Sequence, residues 1–198
     1  MSPLTDHQLE RIQEERKLQI KKAALKVFAL QGITGTKMSS IAAEAGISQG
    51  LSYRYFSSKE ELYTELVQEA LAESESALDR IHELPGSPSE QIRAFTRVML
   101  DPENRLYFLL IRQVQVSDDA PETAKQLIKQ HSPEKTIGRI VPIFVKGQEE
   151  GEFYEGDPGS LLLCYFSAIT GLMLQESPFG EDFWFSQVDV FMRMIRKM

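Results

Sequence analysis

A short polar segment in the first third of the chain carries hydrogen-bonding groups that suit nucleic acid. Gln49 and Arg54 present donors for base edges or phosphates. Tyr53 and Tyr55 add hydroxyls for phosphates, and Gly50 allows a duplex to approach the backbone closely. Each tyrosine is also consistent with a core aromatic whose hydroxyl meets water, and Arg54 with a solvated surface arginine.

Two short helices must position these groups, and the sequence marks both of them. The helices are predicted over 38–45 and 49–56. Gly46 suits the left-handed conformation that ends a helix, and Ser48 is a typical N-cap for the helix that follows. Small and branched residues between them permit a close crossing. This is the helix-turn-helix pattern, whose second helix enters the DNA major groove, with an ordinary pair of packed helices as the alternative.

The rest of the chain is predicted to be all helical, because it has no run of alternating apolar residues typical of strands. Helix starts are marked by capping residues before proline or glutamate, at Ser58, Ser87, Asp101, Ser132 and Asp157. We expect the remaining helices over 6–31, 59–84, 88–100, 102–116, 120–131, 133–150, 158–176 and 181–197.

The charge distribution indicates two parts with different jobs. The 198 residues carry a net charge of -7. Residues 1–59 nevertheless hold nine Lys/Arg against five Asp/Glu, whereas residues 60–198 hold thirteen against twenty-four. A basic first third followed by an acidic remainder fits a DNA-binding part joined to something else, although chance clustering gives the same pattern.

The sequence lacks the residue combinations that would indicate an enzyme, a metal site or a cofactor site. The only cysteine is Cys164, which we expect to be an inert core thiol because it lies in an apolar run. His7, His82 and His131 have no metal-ligand spacing. We find no nucleophile with a base and no phosphate-binding loop, so we expect no enzyme and no cofactor.

Two features bear on location. The polar N-terminus does not fit a signal peptide, and a cytoplasmic location is expected. Residues 158–175 are uncharged, but their dense apolar part is too short to cross a bilayer, so no membrane partner is expected.

Residues 20–63 closely resemble the DNA-binding domain of the tetracycline-repressor (TetR) family. The matching stretches are IKKAALKVF at 20–28, QGITGT at 31–36, IAAEAGISQG at 41–50, YRYF at 53–56 and SKEEL at 58–62. The resemblance implies a three-helix helix-turn-helix domain over 1–58 and a helical ligand-binding and dimerisation bundle over 59–198. It also implies a homodimer that binds a near-palindromic double-stranded operator, usually as a repressor, and that a small-molecule effector releases. The implied DNA contacts are Lys37, Met38, Ser39, Ser48, Gln49, Gly50, Tyr53, Arg54, Tyr55 and Lys59.

Two positions depart from the family pattern. The family commonly has threonine where Lys37 stands, so we expect Thr36 to cap the second helix and Lys37 to contact phosphate. The family commonly has leucine where Ser52 stands, facing the helix crossing. We expect Leu51 to take over that packing by a small rotation of the helix.

The C-terminal part offers a candidate pocket and a candidate interface. Aromatic and methionine side chains on several helices suit an apolar or amphipathic effector, although plain core packing is the alternative for each. These candidates are Phe95, Met99, Tyr107, Phe108, Phe144, Tyr165, Phe166, Ile169 and Met173. The last two predicted helices are more apolar than a small domain needs, which favours burial against a second copy over a greasy monomer core. The candidate interface residues are Leu161, Leu172, Trp184, Val188, Phe191 and Ile195. A helical protein-interaction module without DNA binding is the alternative function.

Overall fold

The computed structural model describes residues 6–180 and 182–197, which form helices joined by short connections. A 3₁₀ turn at Pro102–Asn104 precedes α6, and the β pairing among the described residues is one isolated bridge between Phe153 and Arg196. The helices are α1 (Asp6–Gly35), α2 (Met38–Glu44), α3 (Gln49–Ser52), α4 (Lys59–Glu83), α5 (Pro88–Met99), α6 (Arg105–Val116), α7 (Glu122–Gln130), α8 (Pro133–Glu149), α9 (Pro158–Met173), α10 (Phe183–Ser186) and α11 (Val188–Met192). The all-helical prediction is confirmed.

Side-chain caps start the helices where the sequence places them. Ser58, Ser132 and Asp157 each accept a hydrogen bond from the backbone N–H three residues later. At the start of α5 the Ser87 hydroxyl and the Glu90 carboxylate form a complete, reciprocal capping box. These caps satisfy backbone donors that the first turn of a helix leaves without partners.

The C-terminal segment differs from the single helix predicted over 181–197. It forms the two short helices α10 and α11, and the chain then returns beside the loop after α8. The Tyr154 N–H donates to the Ile195 carbonyl at 3.0 Å, and the Lys197 N–H donates to the Glu152 carbonyl at 2.8 Å. Aromatic and β-branched residues fill this segment and have weak helix propensity, so these tertiary hydrogen bonds outweigh a continuous helix.

The buried side chains form two clusters, and α4 contributes to both. The first, here called the head core, joins α1 and α2 to the first half of α4 and to α6 and α7. It consists of Ile20, Ala24, Leu25, Val27, Phe28, Ile33, Met38, Ile41, Phe56, Leu62, Tyr63, Leu66, Val67, Leu110, Val114, Ala120 and Ala124. The second, here called the C-terminal core, joins the second half of α4 to α5, α8, α9 and α11. It consists of Leu78, Ile81, Ile92, Phe95, Leu100, Ile137, Ile140, Ile143, Phe144, Phe153, Leu162, Tyr165, Phe166, Ile169, Met173, Val188, Phe191, Met192 and Ile195.

Within the described ranges, no helix is both long enough and apolar enough to cross a membrane.

Candidate nucleic-acid interface

The turn between α2 and α3 has the geometry that the sequence predicts. Gly46 has a φ of 66°, in the left-handed region that favours glycine. Ser48 caps α3 by accepting a hydrogen bond from the Leu51 N–H at 3.2 Å. Beyond Ser52 the chain keeps turning, and the Phe56 N–H donates to the Ser52 carbonyl at 3.1 Å. The result is a short, rigid helix whose polar side faces solvent.

Seven of the ten implied DNA contacts are exposed, and six of the ten line one open groove. This groove lies between the starts of α2 and α4 and one side of α3, and its volume is about 380 Å³. The exposed residues are Lys37, Ser39, Ser48, Gln49, Gly50, Tyr53 and Arg54. The six that line the groove are Lys37, Met38, Ser39, Gln49, Tyr53 and Lys59.

The glycine at position 50 is not required by the fold of the free protein. Its φ lies outside the left-handed region, and a Cβ built on Gly50 meets no atom within 4 Å. The fold therefore tolerates a side chain here. A glycine at this exposed position is compatible with close approach of another molecule to the backbone.

Three of the implied contacts, Met38, Tyr55 and Lys59, make interactions within the protein, and for Met38 burial contradicts a side-chain contact with DNA. Met38 is 5% exposed and belongs to the head core, so its side chain is not available to a duplex. Tyr55 is half-buried and packs against the same core. The Lys59 ammonium donates to the carbonyls of Ile33 at 2.8 Å and Thr36 at 2.9 Å, inside the protein.

The expected cap on α2 and the expected role of Leu51 at the helix crossing are both wrong, whereas the phosphate contact of Lys37 stays a prediction. The Thr36 hydroxyl donates to the Gly32 carbonyl at 2.7 Å and so closes the end of α1; α2 has no side-chain cap. Ser52 is completely buried at the helix crossing, where its hydroxyl donates to the Gln49 carbonyl, while Leu51 is half-buried. A serine that satisfies its own hydroxyl fits the crossing, and no rotation of α3 is needed.

Ion pairs fix the first helix on α4. The Lys17 ammonium lies 2.7 Å from a Glu65 carboxylate oxygen, and Lys21 bonds both Glu65 and Glu69. Burial acts to raise the pKa of Glu65, but the hydrogen bonds and charges of Lys17 and Lys21 outweigh it and lower that pKa. Lys37 and Arg54, in contrast, take part in none of the ion pairs formed by the described residues, so their charges face solvent.

Comparison with known proteins agrees with this geometry. The family described as bacterial regulatory proteins, tetR family, matches residues 20–66. The HTH-type transcriptional regulator YfiR of Bacillus subtilis is 24% identical over 85% of this chain and 83% of the relative. Residues 20–66 thus form a DNA-binding domain of the tetR family of bacterial regulatory proteins.

Solved structures extend the likeness in fold to the C-terminal part. The ketosteroid transcriptional regulator KstR2 of Mycobacterium tuberculosis superposes with a TM-score of 0.71 at 21% identity, covering 92% of this chain and 96% of that one. A protein from Saccharomonospora viridis solved in complex with choline has a TM-score of 0.68 at 19% identity, covering 93% of this chain and all of that one. Both likenesses show the same fold over more than nine-tenths of this chain.

The residues expected to line an effector pocket divide between the two cores of this chain. Eight of the nine belong to the C-terminal core or pack against it, whereas Tyr107 packs against the head core. Burial and the nearby Glu69 and Glu73 carboxylates raise the pKa of Tyr107. Three of the rings contact each other, with Phe95 and Phe166 edge to face at 5.6 Å and Tyr165 and Phe166 at 5.2 Å. The eight are Phe95, Met99, Phe108, Phe144, Tyr165, Phe166, Ile169 and Met173.

A buried polar pair in this core was missed by sequence reasoning. The Thr96 hydroxyl is 2.8 Å from the Tyr165 hydroxyl, and both residues are almost completely buried. Burial, partly offset by this hydrogen bond, raises the pKa of Tyr165 to about 12. The Trp184 indole N–H is also shielded from solvent and has no acceptor among the described residues. The sequence signal that Thr96 is buried is its position next to Phe95 and one helical turn away from further apolar residues.

The candidate dimer-interface residues fall into two groups that differ in exposure. Val188, Phe191 and Ile195 are 5%, 6% and 2% exposed within the single chain. In this conformation these side chains have almost no surface that a second copy could contact. Leu161, Leu172 and Trp184 are half-buried. The exposed side of α9 instead presents Leu163, Cys164 and Ser167. The expectation that Cys164 is a core thiol is therefore wrong: it lies on the outer side of a helix whose other side is buried.

The packing of α6 into the head core could not be predicted from the sequence either. Leu110 and Val114 of α6 are buried in the head core. The Thr34 hydroxyl donates to Asp119, just beyond α6, at 2.9 Å. Pairings between residues so far apart in the chain leave no periodic signal.

Proposed function

We propose that this protein is a ligand-responsive transcriptional repressor that binds a near-palindromic DNA operator as a homodimer. A small apolar or amphipathic effector releases it. The observation that carries the proposal is the exposed polar start of α3, with Gly50 and the unpaired charges of Lys37 and Arg54, beside a groove open to solvent.

Sequence reading is assigned to the exposed side of α3. Gln49 and Arg54 are the candidates for base edges, and Lys37, Ser39 and Tyr53 for phosphates. Two such helices must sit about 34–36 Å apart to enter successive major grooves, which is why a symmetric operator needs two copies of the chain.

The second copy is proposed to pack on the outer side of α9. Leu163 is 48% exposed, and Cys164, Ser167 and the half-buried Gly171 follow it at helical spacing. Small side chains at these positions allow two helices to approach closely. An apolar helix side with no cover in the single chain is the kind of surface that an obligate homodimer buries.

The effector is proposed to enter the C-terminal core between α5 and α9. All charged side chains of the described residues lie outside the buried set, so the enclosed part of the effector should be uncharged. The Thr96–Tyr165 pair supplies polar groups for a hydrogen-bonding atom of the ligand, and the buried Trp184 indole N–H is a separate donor without an acceptor among the described residues. Insertion must separate the Phe95 and Phe166 rings. The second half of α4 belongs to the same core and the first half to the head core, so a displacement in one reaches the other.

Retention of genomic DNA by the purified protein tests the DNA-binding part. We expect sequencing of the retained fragments to return one or a few short near-palindromes. Arg54→Ala, which alters only an exposed side chain, should lose them while remaining folded and dimeric. Recovery of nothing beyond background by the folded dimer would contradict the proposal and favour a protein-interaction module.

Fluorescence of Trp184 tests the effector, because the chain has one tryptophan. Decanol, decanoate and choline separate an uncharged apolar ligand from an anion and a cation. We expect decanol to change the emission and to weaken operator binding, with both effects reduced in Thr96→Val. A response to choline or decanoate alone would contradict the uncharged assignment.

A further inference from the structure

The two hydrogen bonds made by Lys59 lie between parts of the head that are distant in sequence. The ammonium group at the start of α4 reaches back 26 residues to the Ile33 carbonyl and 23 residues to the Thr36 carbonyl. The Ile33 carbonyl follows the break in α1 at Gly32, where φ is 68°, and it also accepts the Thr36 N–H at 3.3 Å; the Thr36 carbonyl lies immediately before α2. Lys59 therefore joins the connection between α1 and α2 to the start of α4.

The backbone that carries Lys59 is itself fixed. The Glu61 carboxylate accepts hydrogen bonds from the Ser57 N–H at 2.7 Å and the Ser57 hydroxyl at 2.6 Å. These bonds from Ser57 lower the pKa of Glu61, so it stays ionised. The Ser58 hydroxyl in turn accepts from the Glu61 N–H at 3.1 Å. The ammonium is thus held from a rigid turn, and it is only half-exposed.

We propose that Lys59 is a positioning residue of the head, whose ammonium group sets the start of α2 against the start of α4. The inference rests on the proposed function, since these two helix starts form two walls of the groove assigned to DNA. Two of the three ammonium donors are used inside the protein. The contribution of Lys59 to binding then lies in holding Lys37 and Ser39 in register with α3, more than in neutralising a phosphate.

A phosphate contact and a positioning residue make different predictions for salt and for sequence discrimination. Each phosphate neutralised contributes about 0.9 to the slope of log affinity against log salt, whatever the DNA sequence. Loss of register instead weakens the operator more than a scrambled duplex. Lys37 is the matched control, because it lines the same groove, carries the same charge and is exposed.

The test compares Lys59→Met and Lys37→Met in the 198-residue chain, first without DNA. We expect amide hydrogen exchange over residues 33–41 to be about tenfold faster in Lys59→Met, with α8 and α9 unchanged. Lys37→Met should exchange like the wild type. If Lys59→Met fails to fold, Lys59→Gln retains an uncharged NH2 donor group and should give a smaller local effect.

The second arm uses the near-palindrome recovered by the wild type and a scrambled duplex. We expect Lys59→Met to lower the ratio of the two affinities about tenfold with a salt slope close to that of the wild type. Lys37→Met should lower the slope by about 0.9 and leave the ratio unchanged. A Lys59→Met variant with unchanged exchange, or with a lower slope and an unchanged ratio, would overturn the positioning role. A wild type that selects no DNA contradicts the proposed function, and the exchange comparison then decides on Lys59 by itself.

Discussion

Gly50→Ala tests whether glycine at position 50 serves the stability of the free protein or the binding of DNA. A Cβ at Gly50 meets no atom of the protein within 4 Å, and the backbone conformation is one that alanine adopts readily. Alanine favours a helix over glycine by roughly 0.5–1 kcal/mol. Because α3 spans only Gln49–Ser52, we expect the free energy of unfolding to stay equal or to rise within that range.

The same methyl group should weaken operator binding. If the duplex approaches the backbone at Gly50, an added methyl must displace it, and overpacking at a close contact costs about 1–3 kcal/mol. That range corresponds to a dissociation constant about 5- to 150-fold higher. Fluorescence anisotropy with the labelled operator measures the affinity, and thermal unfolding on the same preparation measures stability.

Gly138→Ala is the matched control for this prediction. Gly138 lies on α8, is exposed, and a Cβ built there also meets nothing within 4 Å. It should gain helix stability without any effect on DNA binding. A Gly50→Ala variant that binds the operator as tightly as the Gly138→Ala variant would refute the reasoning, because no close approach would then occur at position 50.

Three further outcomes are expected. Leu163→Glu should yield monomers in sedimentation, whereas Val98→Glu, an equally exposed change on α5, should not; a dimeric Leu163→Glu variant would place the interface elsewhere. Burial raises the pKa of both Tyr63 and Tyr165 to about 12. The unfolded chain therefore loses these protons first, and the free energy of unfolding should fall as pH rises from 10 to 12. Tyr63→Phe should flatten part of that slope and leave stability at neutral pH equal or higher, because the Tyr63 hydroxyl is buried without a partner among the described residues. If Tyr63→Phe leaves the slope of the free energy of unfolding against pH unchanged, that result would contradict the argument from burial. Ser87→Ala should lower the free energy of unfolding by about 1 kcal/mol in urea denaturation, and no loss would mean that the capping box is dispensable.

Local signals predicted the helices and the reading unit, because their causes lie within a few residues. A capping serine or aspartate acts on the N–H three residues away, and Gly46 adopts its left-handed conformation within one turn. The exposed face of α3 follows from the spacing of Gln49 and Tyr53 on a helix whose other side carries the buried Ser52.

The features that the sequence did not predict depend on contacts between distant parts of the chain. The C-terminal segment breaks into α10 and α11 because its backbone pairs with residues after α8, some forty positions earlier in the sequence. Cys164 lies in an apolar run but faces outward, because α9 is uncharged on every side and its periodicity does not mark a buried face. Lys59 has the side chain of a phosphate contact, and only the folded head shows that two carbonyls already bind it.

The most direct test of the central claim is an equilibrium titration of the recovered near-palindrome at two salt concentrations, with a half-site duplex alongside. The proposal predicts that two copies bind the whole site and that the half-site binds far more weakly. It also predicts that affinity falls steeply, by about 10³-fold or more between 50 and 200 mM salt for six or more phosphate contacts. A flat salt response, or equal affinity for the whole site and the half-site, would contradict a dimeric DNA-reading head.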